Sequence, residues 1–275
     1  MEHISVILFW TAFLLYGAAF VLFVYHLVSK RPVFNRWGTF VVVAAWLAQT
    51  VSLAARGVSA GHVPVYGAYE SLSLIAWFVV LVYLVLELRT NVRAIGLYTM
   101  PAVLIFLGVA WASYRAPAGL LPVLKSDLVA LHVTVIFTSL AAFILAAGAA
   151  LLYLIEDREL KRHGVSAVLG RLPSLETLDR LTFHAILFGL PFLSMGIIAG
   201  IIRAQKWGVH QWYLDPLVLL AIVAWAVYAA FLYARVGAGW RGRRTAYLAL
   251  AGVICLLLIR FAVVPFLSNF HTYGS

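Results

Sequence analysis

Eight histidines stand in a chain of 275 residues that is otherwise poor in ionisable groups. Imidazole binds metals when neutral and is the usual axial ligand of haem iron. His132 lies near the start of a long apolar run, just after Lys125-Ser126-Asp127, and His271 lies in SNFHTYGS near the last residue. Two imidazoles at one depth would hold an iron from both axial sides. An interfacial histidine bonded to a backbone carbonyl has the same sequence signature, so for each residue alone both roles stay open. A second group sits in RAQKWGVHQWYLDPLVLL, where Trp207, His210, Trp212 and Tyr213 fall within seven residues and Asp215-Pro216 follows. Trp and Tyr are common at membrane interfaces, but so dense a cluster would make a ledge on which a flat ring system stacks. Asp215 suits a helix cap and Pro216 the first helical turn after it. A third group is Arg56, His62, Tyr66, Tyr69 and Glu70 in RGVSAGHVPVYGAYESLSLIAW, with Arg260 far along the chain. Guanidinium binds carboxylates bidentately, so Arg56 and Arg260 suit haem propionates. An internal pair with Glu70, or snorkelling, is the alternative for each.

Other chemistry has little footing. No nucleophile–base pair or metalloprotease motif is present. The single cysteine, Cys255, can form no intrachain disulfide, dithiol pair, Cys-rich zinc site or iron–sulfur site.

The elements that must position these groups are membrane spans. Hydrophobic residues make up 64% of the chain, charged residues 11%, and mean hydropathy is +1.00. A soluble domain carries about 25% charged residues, so soluble enzymes and DNA-binding domains are excluded. About 20 apolar residues cross a bilayer as a helix, and eight segments qualify: 4–27, 38–55, 70–88, 93–113, 128–155, 182–203, 216–236 and 245–267. The expected fold is all-α, a polytopic integral membrane protein with about eight transmembrane helices. MEHISVILFW has no basic leader and reads as the start of the first span. The stretch 156–181 reads as a short amphipathic helix followed by a turn at Pro173.

Of the 20 Lys and Arg, 14 fall in the loops after spans 1, 3, 5 and 7, and 6 fall on the other side. The positive-inside rule puts the first set in the cytoplasm and both termini outside. This accounts for the net charge of +10 without nucleic acid, through loops that touch anionic membrane lipid. Parity then brings His132 and His271, with 138 residues between them, to one outer interface, with His3, His62 and His210. His26, His163 and His184 fall at the cytoplasmic side. A small-solute transporter is a further reading of eight spans. Broken helices and mid-membrane charges would be its signature, whereas the ionisable residues here cluster near span ends.

Four stretches, in order, resemble the haem-handling membrane proteins of cytochrome c maturation, the CcsA/ResC type, whose superfamily includes CcmC, CcmF and HemX-like proteins. They are GHVPVYGAYESLSLIAW before span 3, LHVTVIFTSLAAF in span 5, LPSLETLDRLTFHAILFGLPFLSMGIIAGIIRAQKWG through span 6, and NFHTYG near the end of the chain. The resemblance implies one transmembrane assembly domain over 1–275, with outer haem-site elements at 57–70, 128–134, 203–216 and 268–274. It implies haem b held by His132 and His271 as metal ligands, on a tryptophan-rich loop ending in Trp-Asp-Pro. Trp207 and Gly208 match the opening of that loop, Trp212 an inner tryptophan, and Asp215 and Pro216 its end. Leu214 stands where the family has the last tryptophan, Leu217-Val218 where it has Lys-Glu, and Tyr233 where it has a histidine near the inner end of span 7.

The implied function is that of a haem chaperone or part of a cytochrome c synthase complex rather than a stand-alone enzyme. It would sit in a bacterial inner or plasma membrane and deliver haem on the outer face to apocytochrome c. The implied partners are a ResB/CcsB-type membrane protein and a thiol-reducing protein. The reduced tryptophan motif is closer to the HemX-like branch, which implies the alternative of a membrane regulator of tetrapyrrole synthesis acting on glutamyl-tRNA reductase levels.

Overall fold

The computed structural model describes residues 1–29, 31–65, 67–90, 95–115, 127–161, 173–206 and 212–258. Among these, all regular structure is helical: α1 (Glu2–Ser29), α2 (Pro32–Ala60), α3 (Gly67–Thr90), α4 (Ile95–Ala112), α5 (Asp127–Lys161), α6 (Leu175–Lys206), a 3₁₀ turn (Trp212–Leu214), α7 (Pro216–Val236) and α8 (Arg243–Leu258). Helices α1 to α7 are long and apolar enough to cross a membrane, and α8 is described over 16 residues. The helices turn large side chains outward: Leu14 is 68% exposed, Phe40 67% and Ile105 64%. Such surfaces belong in lipid, whose tails are as apolar as the side chains themselves. The chain is a polytopic integral membrane protein.

Sequence punctuation sets several ends. Pro32 begins α2, where a missing N–H costs nothing. Ser174 caps α6, its Oγ accepting from the Thr177 N–H at 3.4 Å. The amphipathic helix expected within 156–181 falls partly on residues 162–172, which lie outside the described residues. Residues 156–161 continue α5, and 175–181 are the first turns of α6. Charge pairs one turn apart, Asp157–Lys161 and Glu176–Arg180, support both extensions.

The helices form two compact units, α1–α4 and α5–α8. In the first, α1 buries Ser5, Phe9, Ala12, Tyr16, Ala19 and Phe23, spaced alternately by four and three. On α2 the same alternation runs through Asn35, Gly38, Val42, Ala45, Gln49, Ser52 and Arg56. The spacing is that of a coiled-coil seam, in which small and polar residues alternate with the rings of Phe9, Tyr16 and Phe23, since lipid offers no hydrophobic reason to prefer apolar residues throughout. Ser5 and Ser52 each donate a hydroxyl to the other's carbonyl, at 3.0 and 2.7 Å. Tyr16 donates to Gln49 at 2.7 Å, and Gln49 donates to the Ser73 carbonyl of α3 at 2.9 Å.

In the second unit α5 and α6 run antiparallel. Trp225 of α7 donates to Ser194 Oγ at 2.8 Å, and Arg235 pairs with Asp179, so α7 also opposes α6. Phe143 and Tyr228 stack at 3.8 Å with planes 12° apart. The Tyr228 ring lies on Gly252 of α8, where a β-carbon would sit 2.4 Å from Cζ. Gly252→Leu is therefore expected to lower stability by roughly 1–3 kcal/mol, the usual cost of overpacking. Gly108→Ala, in open space on α4, is expected to be neutral or slightly stabilising. Thermal unfolding of the two variants in one detergent checks the contrast.

Candidate functional site

His132 occupies the second turn of α5, half-buried against α6. Its Nδ1 lies 2.8 Å from the Gly196 carbonyl oxygen. A carbonyl can only accept, so Nδ1 carries the proton, and in the neutral ring the lone pair is on Nε2. Metal-binding histidines are oriented in this way, with one nitrogen donating to a carbonyl and the other ligating. Three other histidines also bring Nδ1 to a carbonyl, but their partners are local: Arg31 for His26, Val63 for His62 and Arg180 for His184. The His132 bond crosses between helices, 64 positions apart.

The approach is possible because α6 offers no side chain there. A β-carbon on Gly196 would meet Ile136 at 2.3 Å, and one on Gly200 would meet the imidazole Cε1 at 3.0 Å. The two glycines are one turn apart in GIIAG, the small-xxx-small spacing that brings membrane helices together. The spacing is plain in the sequence, yet the glycines did not emerge there as part of the site.

Asp215 and Pro216 fall as their residue types predict. The Asp215 carbonyl accepts the Leu219 N–H at 3.1 Å, the first bond of α7, and Pro216 is the first helical residue. Just before them Trp212 and Tyr213 meet edge to face at 5.9 Å, with Tyr213 53% exposed. Helices α5 and α7 both oppose α6 and so run the same way. Counting back from the Phe143–Tyr228 stack, the eleven residues to His132 correspond to the stretch from Tyr228 to the first turn of α7. The imidazole and the Trp212–Asp215 segment thus belong to one end of the second unit. Helix α8 runs toward that end, since its first residue, Arg243, pairs with Asp157 near the far end of α5. Trp207, Arg260 and His271 lie outside the described residues.

Among the described residues no three His, Cys, Asp or Glu side chains gather as a metal site, but a haem iron asks the protein for at most two axial donors. A family model, Cytochrome C assembly protein, matches residues 65–271. The chain belongs to this family. Its relatives include proteins named cytochrome c biogenesis protein CcsA. The one from Guillardia theta is 32% identical over 252 residues, covering 84% of this chain and 83% of its own length. The one from Microcystis aeruginosa is 30% identical over 328 aligned positions, covering 100% and 96%. The one from Prochlorococcus marinus (strain MIT 9303) is 31% identical over 268, covering 86% and 83%.

This CcsA-type chain holds its other candidate arginine in the first unit. Arg56 is 5% exposed and Glu70 4%. Arg56 Nε donates to Glu70 Oε1 at 2.9 Å, and Nη2 donates to the Arg115 carbonyl at 2.9 Å. The guanidinium lies 5.2 Å from the Tyr69 ring centre and 5.6 Å from that of Tyr114, in the range of cation–π attraction. Of the roles weighed for Arg56, the internal pair with Glu70 is the one this geometry displays. Phe9 and Trp111 complete the cage, with Trp111 stacked on Tyr114 at 4.9 Å and on Phe9 at 5.6 Å. Burial and the hydrogen bond to Glu2 push the Tyr114 phenol up, which keeps it the donor in that 2.8 Å bond. At the other end of α7, Tyr233 is 77% exposed.

Proposed function

We propose that this CcsA-type chain serves cytochrome c biogenesis by holding haem b at the outer membrane face, with His132 and His271 as axial ligands, for delivery to apocytochrome c. The observation that carries the reading is the bond from His132 Nδ1 to the Gly196 carbonyl, which gives Nε2 the ligating lone pair and fixes the ring's direction. When bound, haem supplies the iron and the two vinyl groups that the C-x-x-C-H thiols of an apocytochrome take up. Everything else is done by the chain. Among the described residues, the first turns of α5 and the Trp212–Asp215 segment lie at one end of the second unit, and α8 runs toward that end. In this reading Trp212 and Tyr213, which meet edge to face just before Asp215, stack on the haem ring, with Trp207 of the same loop as a further aromatic partner. Arg260 serves a propionate, and Arg56 acts through the cage that it anchors. With Cys255 alone, the chain relies on a thiol-reducing protein and a ResB/CcsB-type partner. The charge asymmetry supports a site on the outer face of a bacterial plasma membrane, with both termini on that side.

Leu214, Leu217 and Tyr233 favour a second reading, a HemX-like regulator of tetrapyrrole synthesis. A strain deleted for the chain separates the two. Loss of haem-stained c-type cytochromes, restored by the wild-type chain and not by His132→Ala, supports assembly. Normal cytochromes with altered haem precursors support regulation and overturn assembly.

The glycine face gives a finer expectation. Gly200→Leu pushes the ring off the Gly196 carbonyl. Loss of such a supporting bond weakens a metal site by about 10–100-fold, so haem retained through purification should fall while the detergent-solubilised protein stays monodisperse.

A further inference from the structure

The end of the second unit opposite His132 carries a cleft of about 470 Å³, lined by Tyr153, Asp157 and Lys161 of α5 and by the α7–α8 connection from Gly239 to Arg244. Its size is that of a small-ligand site. Its charge is lopsided: Lys161, Arg241, Arg243 and Arg244 face Asp157 as the one acid of the lining. Arg243 and Lys161 are both paired with that carboxylate. Among the described residues neither Arg241 nor Arg244 forms an ion pair, and both are exposed.

The connection is held in shape by bonds of its own. Arg235 donates to the Trp240 carbonyl at 3.2 Å. Asp179 pairs with Arg235 and accepts from the Gly242 N–H at 3.1 Å and from Thr245 Oγ1 at 3.4 Å. Gly239 and Gly242 take φ of 68° and 74°, where other residues are strained. This scaffold sets Trp240, 40% exposed, beside the cleft with the Arg244 guanidinium 5.4 Å from its ring. An aromatic and two guanidinium groups at the mouth of a pocket just past the end of the apolar span of α7 match a phosphodiester whose acyl chains enter the lipid beside that span.

We propose that this cleft is a binding site for the phosphate of an anionic glycerophospholipid. The two guanidinium groups of Arg241 and Arg244 hold the phosphate, and Trp240 lies at the level of the glycerol. The site is separate from the His132 end and does not depend on haem.

The test uses the full chain in a zwitterionic detergent at constant ionic strength, with binding measured by equilibrium dialysis. The probes are labelled dihexanoyl phosphatidylglycerol, dihexanoyl phosphatidylcholine and inorganic phosphate. Saturable binding of phosphatidylglycerol, not of phosphatidylcholine, is expected. Arg241→Gln/Arg244→Gln should weaken it about thirtyfold, from the usual contribution of two basic groups near a lipid surface. Arg241→Lys/Arg244→Lys should retain most of it. Arg158→Gln/Arg180→Gln, which removes the same charge from exposed positions outside the cleft, should weaken it by less than about threefold. If inorganic phosphate binds as tightly as the lipid, the site takes free phosphate, and the phosphate chemistry stands while the lipid source falls. Equal binding of both lipids, or equal loss in the two glutamine pairs, overturns the proposal.

Discussion

Replacing His132 by alanine is expected to remove the Soret band from protein purified in detergent, and added imidazole is expected to restore it. The first effect follows from losing the Nε2 donor. The loss should be at least as large as the about 10–100-fold that removal of a mere supporting partner costs a metal site. The second follows from the site being otherwise intact: α5 and α6 still meet at Gly196 through Ile136 and Val135. His184→Ala is the matched control, because its Nδ1 also donates to a carbonyl, that of Arg180 at 2.7 Å, but on an exposed face of its own helix. His271→Ala should behave as His132→Ala. A band that survives the double substitution His132→Ala/His271→Ala would remove haem ligation by this pair from consideration.

The second large effect concerns stability. Glu70→Ala leaves the Arg56 guanidinium buried with its Coulombic partner gone, and the side chains of the pair are only 6% and 5% exposed. Breaking a buried pair from one side costs about 3–5 kcal/mol, whereas replacing both members with apolar residues of similar volume is often neutral. Glu70→Ala should therefore lower the thermal midpoint in detergent sharply, and Arg56→Met/Glu70→Leu should recover most of the loss. The double variant also isolates any direct part of Arg56 in haem retention. If stability returns and haem is retained as in the wild type, the arginine's role is confined to the cage.

Much of this was legible in the residues. The eight helices fall where apolar length and Lys/Arg spacing put them, and α7 starts at Pro216, directly after Asp215, as the residue types suggest. The burial pattern was harder to read. In a soluble helix the buried face announces itself by hydrophobicity, but α1 shows Ile4, Ile7 and Leu14 to lipid and turns Ser5, Ala12 and Tyr16 inward. What marks the seam is size and polarity at heptad spacing, a weaker signal in a chain that is apolar nearly everywhere. The continuation of α5 over 156–161 and the start of α6 at Leu175 are hidden in the sequence for a related reason. Their charges suggested an interfacial segment, while i to i+4 pairing lets a spanning helix continue past the bilayer. At the site, parity and residue type pointed to His132 but not to its support. The Gly196 carbonyl has no side chain to advertise it, and only the GIIAG spacing hints that a neighbouring ring can come so close.

The Arg56–Glu70 pair also bears on how the chain enters its bilayer. Arg56 lies near the last turn of α2 and Glu70 in the first turn of α3, 14 positions apart. A lone charge on an inserting helix costs about 2.5–3.5 kcal/mol at mid-membrane and less toward the surface. A translocon releasing α2 before α3 would leave the guanidinium bare, while releasing both as a helical hairpin neutralises it at once. The α2–α3 hairpin is thus arranged for paired lateral exit, and uncoupling it during synthesis would hold the cation without its carboxylate until α3 follows.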